Sequence, residues 1–90
     1  MEIEVDTLKL QNMVLRLCGP ESGGDILAYI NTSSEVDLSE LIHKFIINGA
    51  DRRTLLSELR RFRINDADIA DAFSEAINKI ASRAIHGETE

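Results

Sequence analysis

The sequence predicts an all-α fold, a small bundle of four to five short helices that is completed as a homodimer. Apolar residues recur at helical spacing along most of the chain, and Gly, Asn and Asp separate the segments. No segment shows a convincing two-residue alternation bounded by turns. The 90 residues are 43% hydrophobic and contain no long Pro, Gly or Ser tract, so we expect one domain, 1–90, with a frayed tail at about 87–90.

The first predicted helix runs from about Val5 to Cys18 and is ended by Gly19-Pro20. Most of its apolar residues form one stripe: Leu10, Met13, Val14, Leu17 and Cys18. Leu8 and Leu15 lie off this stripe, so the helix is apolar on more than one side, which is typical of a helix buried between other elements of its own chain or between subunits. The expected dimer interface contains Leu8, Val14, Leu15 and Ile47.

Two helices are predicted in the middle of the chain. After the turn GPESGG, interpreted as a flexible connector, a short helix covers Asp25 to Asn31. A clearer helix follows the polar segment NTSSEV, with Asp37 as N-cap and Glu40 in a capping-box position. Asn48-Gly49 ends it. Its core stripe is Leu38, Leu41, Ile42, Phe45 and Ile46.

Two more helices complete the predicted bundle. Asp51 caps the first of them, whose stripe is Leu55, Leu56, Leu59 and Phe62. Asn65, followed by Asp68, caps the last and longest helix, which ends at His86-Gly87. Its apolar residues are Ile69, Phe73, Ala76, Ile77, Ile80 and Ala84. The short connections favour antiparallel packing of neighbouring helices.

The sequence offers no catalytic or metal-binding pattern, so we expect no enzyme activity and no cofactor or metal. His43 and His86 lie far apart, without a second His or Cys one helical turn away, and His43 is expected at the polar border of its helix. Cys18 is expected to be a small core residue. A single cysteine and the lack of a long apolar run predict a cytoplasmic protein without a membrane span.

An arginine cluster is the candidate site. The segment DRRTLLSELRRFRI, 51–64, holds five of the ten basic residues of a chain whose net charge is -6. At 100° per residue, Arg53 and Arg60 lie along one flank of the helix, and Arg61 lies opposite the core. The helix dipole accounts for cations at the C-terminal end, Arg60, Arg61 and Arg63, but disfavours Arg52 and Arg53 at the other end. The predicted partner-binding residues are Arg52, Arg53, Arg60 and Arg61.

Two kinds of partner fit this cluster. Because the planar guanidinium bonds carboxylates in pairs, a protein partner is the first interpretation. The alternative is a DNA-binding modulator, since LIHKFII, the turn NGAD and the Arg52–Arg63 helix have the order of a helix-turn-helix. The negative net charge and the lack of a basic arm weigh against DNA. A phage- or plasmid-encoded inhibitor that acts through its acidic surfaces is a third reading.

Part of the chain resembles a known family. The residues of the likeness are the Ile-x-x-Tyr of DILAY, LSELIHKFIINGA, the Leu-x-x-x-Leu of TLLSELRRF and the closing helix. In this order they resemble the small enterobacterial connectors of two-component systems, the AriR-like regulators of biofilm formation and acid resistance. The resemblance implies an all-helical, non-catalytic homodimer that acts by binding in signalling, biofilm formation or stress response. It supplies no site residues.

Overall fold

A computed structural model describes residues 2–4, 6–32, 34–62 and 64–88, and in them the protein is predominantly α-helical, as predicted. A two-stranded sheet accompanies the helices. In chain order the elements are β1 (Glu2–Glu4), α1 (Thr7–Ser22), α2 (Gly24–Asn31), β2 (Glu35–Asp37), α3 (Leu38–Ile47), α4 (Arg52–Leu59) and α5 (Asp66–Glu88).

Helix α1 begins later and extends further than the sequence predicts. Asp6 caps it, with its carboxylate accepting a hydrogen bond from the Lys9 backbone N–H at 3.2 Å. The predicted end at Gly19 is a kink, since Gly19 adopts φ 81° and ψ 170°, in the region that favours glycine. The chain then continues as helix to Ser22. GPESGG, which was predicted to be a flexible connector, therefore contains a helical segment after the kink. The predicted start at Val5 lies outside the described residues.

The small sheet is a correction to the purely helical prediction. β1 and β2 pair antiparallel, with Ile3 opposite Val36 and Glu4 opposite Glu35. Val36 is buried and Ile3 is half-buried, so each strand contributes one aliphatic side chain to the core edge. The sheet fixes the start of the chain beside the start of α3.

The core lies around α3, which packs most extensively on α5, and all five helices contribute buried residues to it. The predicted stripes of α3 and α4 point into this core. Phe45 and Leu55 are fully buried, whereas Leu56 and Phe62 are half-buried. On α5, Ile69 and Ala76 are buried as predicted, and Ala72, which was not in the predicted stripe, joins them. Ile77 is 37% exposed, so its place in the stripe is at the margin of the core.

Most of the predicted helix caps are confirmed. Asp51 accepts a hydrogen bond from the Thr54 N–H at 3.0 Å, Asn65 accepts one from the Ala67 N–H at 2.9 Å, and Gly49 has φ 92°. Asp37 is the N-cap of α3 as predicted, but the capping box predicted for this helix is wrong. The Asp37 carboxylate accepts from the Ser39 hydroxyl at 2.8 Å, and makes no capping hydrogen bond.

The far end of α5 also differs from the prediction. The helix extends to Glu88 instead of ending at His86-Gly87, and the final two residues of the predicted frayed tail lie outside the described residues.

Glu40 joins α3 to α5 through Lys79, with 3.2 Å between Oε2 and Nζ. Burial by itself raises the pKa of Glu40, but the hydrogen bond and charge of Lys79, with the charges of His43 and Lys44, outweigh it, and the pKa falls below its usual value. A carboxylate with a lowered pKa stabilises the fold above its unfolded pKa, about 4.3. That contribution is lost as the pH falls through the folded pKa.

Replacement Lys79→Gln is therefore expected to lower the free energy of unfolding at pH 7 by at most about 1 kcal/mol, because the pair is partly exposed. The difference from the unmodified chain should shrink at an acid pH below the lowered pKa of Glu40 in the folded protein, where the carboxylate is protonated in both states. Urea unfolding at the two pH values measures it. An equal loss at both pH values would contradict a role for the ion pair.

The predicted dimer-interface residues do not share one environment. Leu8, Leu15 and Ile47 are 68%, 49% and 52% exposed. Val14 is fully buried in the core of the same chain, so its assignment to a subunit interface is corrected. Leu8 and Leu15 are two helical turns apart on α1 and lie on the same side of it.

Candidate functional site

Helix α4 presents the arginines because its apolar residues face inward. Leu55 and Leu59, four residues apart, are fully buried and hold the helix on the core. Arg52 and Arg53, in the first turn, and Arg60, at the C-cap, are exposed. The cap made by Asp51 and Thr54 fixes where the helix begins, and so fixes the direction of the first two arginines.

Three of the four predicted arginines surround an apolar groove between α4 and α5, with a volume of about 410 Å³. We call it the α4–α5 groove. Its apolar residues are Leu56 from α4 and Ala70 and Phe73 from α5. Its charged residues are Arg52, Arg53, Arg60 and Asp66. The groove thus combines an apolar surface with a net positive border in a chain of charge -6.

The arginines of the groove differ in their pairing. The Arg60 Nε lies 3.7 Å from the Asp66 carboxylate, and both side chains are largely exposed. Within the part of the chain that the structure describes, no carboxylate lies within 4.0 Å of Arg52 or Arg53. Hydrogen bonds from Thr54 lower the pKa of Asp51, and the nearby charge of Arg53 lowers it further. Arg52 and Arg53 therefore have capacity for an external carboxylate.

Arg61 belongs to a different surface, which corrects its grouping with the other arginines. It lines a smaller cleft of about 180 Å³ between α1 and α4, together with Lys9 and Arg16. Arg16 donates a 2.6 Å hydrogen bond to Glu58, which ties α1 to this side of α4. This is the α1–α4 cleft. Arg63, the last residue of the predicted reading helix, lies outside the described residues.

The other side chains with chemical potential lie away from the groove. Cys18 is half-buried, its Sγ is 4.0 Å from the Phe45 carbonyl oxygen, and burial raises the pKa of its thiol. His43 is buried and not at a polar border as predicted, and its Nδ1 is 3.9 Å from Glu40. In the described residues no group of three or more His, Cys, Asp or Glu side chains could hold a metal ion.

The sequence did not identify the apolar part of the groove. The sequence places Leu56 and Phe73 in core stripes, and Ala70 belongs to neither a predicted stripe nor a predicted site. One feature of the sequence could have indicated the groove. Leu56 lies between Arg53 and Arg60 along the helix, and it is at the edge of the apolar stripe nearest to that flank. Only the position of α5 across from α4 shows that this edge is a groove.

No family model, curated protein or solved structure matches the chain, so the resemblance to the AriR-like connectors stays a prediction. Among the helices that the structure describes, none has the length and apolar character to cross a membrane.

Proposed function

We propose that this chain is a non-catalytic regulatory protein that acts by binding a protein partner at the α4–α5 groove. The observation that carries the proposal is the apolar floor of Leu56, Ala70 and Phe73 within a border of three arginines. Arginine and aromatic residues are enriched at protein interfaces, because both combine apolar area with polar or electrostatic contacts. The negative charge of the rest of the chain favours an acidic segment of the partner at this one surface.

Affinity capture from a lysate of the native host tests the proposal. The immobilised unmodified chain is compared with a variant in which Arg53 and Arg60 are replaced by Glu, and retained proteins are identified by mass spectrometry. A partner retained only by the unmodified chain is the expected result. If both chains retained the same host proteins, the partner would bind outside the α4–α5 groove or the retention would be non-specific.

The exposed leucines of α1 support a homodimer as part of this proposal. Leu8 and Leu15 lie on one side of α1, and each exposes about half or more of its side chain. Large apolar side chains aligned on an exposed helix face are typical of helix-helix interfaces.

The double replacement Leu8→Glu and Leu15→Glu is expected to change a dimer into a monomer, because it places charges in the apolar contact. Light scattering at micromolar concentration measures the mass, and circular dichroism checks that the helical content is unchanged. A monomeric mass for the unmodified chain would contradict the dimer.

A DNA-binding modulator is the second candidate, and the exposed face of α4 favours it. Arg53, Ser57 and Arg60 are exposed on that helix, while its one acidic residue, Glu58, is turned toward Arg16 of α1. A titration against duplex DNA at low and moderate salt separates the candidates, because phosphate contacts make affinity fall steeply with salt. Binding that is absent even at low salt would remove this candidate.

The cellular setting of the proposal comes from the resemblance to the AriR-like connectors. We propose a cytoplasmic role in two-component signalling, biofilm formation or stress response, which a protein that acts only by binding could fulfil. Deletion of the gene in its native host, followed by biofilm and acid-survival assays, tests that setting separately from the binding site.

A further inference from the structure

We propose that the occupant of the α4–α5 groove is an acidic amphipathic α-helix of the partner, with carboxylates seven residues apart on its apolar face. The inference rests on the proposed function and names the kind of segment that is bound. It follows from the spacing of the arginines, from the shape of the floor and from the ion pair at the rim.

The spacing of the arginines sets the first requirement. Arg53 and Arg60 are seven residues apart on α4, which corresponds to about 10.5 Å along the helix at about 1.5 Å per residue. Carboxylates at positions i and i+7 of a second helix have the same separation when that helix lies along the groove. Acidic side chains at these two positions therefore meet both arginines at once.

The floor sets the second requirement. Leu56 lies between the two arginines on α4, and Ala70 and Phe73 flank it from α5. Ala70 has a small side chain, which leaves space next to the larger Leu56 and Phe73. Apolar residues at positions i+3 and i+4 of the ligand helix lie between its two carboxylates and above this floor.

A helix suits this groove better than an extended segment. The walls consist of apolar side chains, three guanidinium groups and one carboxylate, and both walls are helices whose backbone groups are bonded internally. An extended segment would bring N–H and C=O groups against the apolar floor with few partners, which is costly. A helix bonds its own backbone and presents only side chains.

Asp66 is the internal competitor of such a ligand. Its carboxylate lies 3.7 Å from the Arg60 Nε at the rim, where the second ligand carboxylate would bind. The ligand has to displace or share this contact. The replacement Asp66→Asn removes the competing charge and is therefore expected to increase affinity, whereas most changes at an interface reduce it.

Three designed peptides test the inference. The first is a crosslinked helical peptide with Glu at positions i and i+7 and Leu at i+3 and i+4. The second has the same composition but both Glu residues on the opposite face. The third differs from the first in two ways: it lacks the crosslink, and a central residue is replaced by Pro, which prevents a continuous helix. Fluorescence anisotropy at moderate salt gives each affinity for the unmodified chain and for single-residue variants.

The expected effect of each variant depends on which charge it removes and on whether that charge borders the groove. The first peptide should bind about tenfold more tightly than the other two. Arg53→Gln and Arg60→Gln should each weaken it about fivefold to tenfold, and Asp66→Asn should strengthen it about twofold to fivefold. Arg61→Gln, the same change of charge on the other side of α4, should leave the affinity unchanged.

Four outcomes would overturn the inference. The Pro peptide could bind as tightly as the helical one, which would indicate an extended ligand. The affinity of the helical peptide could be insensitive to Arg53 and Arg60, which would place it outside the groove. The Arg53 and Arg60 variants could dissociate a dimer in light scattering, which would assign the groove to a second copy of this chain. No measurable binding of the helical peptide would also contradict it.

Capture of a host protein distinguishes an error in the proposed helical ligand from an error in the proposed function. If the helical peptide does not bind but a host partner is lost with the Arg53 and Arg60 variants, the proposed function stands and the helical ligand is wrong. If both the peptide and the host partner are insensitive to these arginines, both proposals fail.

Discussion

Charge reversal of Arg53 and Arg60 together is expected to abolish capture of the partner. Each reversal replaces an attraction to an acidic side chain by a repulsion, and the two sites are separated by two helical turns, so their effects should nearly add. A loss of about tenfold for each corresponds to about 1.4 kcal/mol per site. A combined loss of about a hundredfold removes the partner from an affinity resin under ordinary washing.

The matched control is Arg61→Glu, which makes the same charge change in the turn directly after α4, at the α1–α4 cleft. The fold should tolerate all three substitutions, because these side chains are exposed. Circular dichroism and thermal melting verify this. Loss of capture in the Arg61 variant, with capture intact in the Arg53 and Arg60 variant, would move the binding surface to the other side of α4.

The replacement Gly23→Ala is expected to destabilise the protein by about 1–3 kcal/mol, the usual cost of overfilling a packed core. Gly23 is buried between α1 and α2, and an added methyl group would overlap the Cγ1 atom of Val14. Val14 is itself fully buried and has little room to move. The melting temperature should fall by roughly 4–8 °C for each kcal/mol in a domain of this size.

Its neighbour Gly24 supplies the control. A methyl group at Gly24 meets no atom within 4 Å, and this residue is the first of α2. Gly24→Ala should be neutral or stabilising by up to about 1 kcal/mol, because alanine favours a helix over glycine. Equal melting temperatures for the two variants would show that the junction of α1 and α2 is not closely packed against Val14.

The helices could be predicted from the sequence because their signals are local. Asp51 and Asn65 cap helices where a polar residue precedes an apolar stripe, and Gly49 ends a helix where positive φ is needed. The stripes of α3 and α4 follow from residue spacing alone. Asp37 also precedes its helix as predicted, but its side chain makes no capping hydrogen bond: it accepts from the Ser39 hydroxyl, and Glu40 pairs with Lys79 of α5.

The sheet could not be predicted because each strand is only three residues long. Each is an acidic residue, a β-branched residue and an acidic residue, Glu2–Glu4 and Glu35–Asp37. Three residues cannot establish a two-residue period, and the partner strand is more than thirty residues away in the sequence. The opposed carboxylates also argue against pairing, since Glu2 raises the pKa of Glu35 through a hydrogen bond and its charge.

The candidate site could be predicted in part. The charge segregation and the angular positions identified Arg53 and Arg60 as one flank of α4. Arg61 was grouped with them because the sequence does not show that α1 packs on that side, where Arg16 bonds Glu58. The floor was missed for the same reason: Ala70 and Phe73 reach the arginines only through the tertiary position of α5.

Mapping of partner binding by NMR tests whether the partner occupies the α4–α5 groove. Amide and methyl resonances of the isotope-labelled chain are followed while the captured partner is added. We expect the largest shifts at Leu56, Ala70 and Phe73, on the floor of the α4–α5 groove, and small shifts at Lys9 and Arg16. Shifts centred on the α1–α4 cleft, with the groove resonances unchanged, would contradict it.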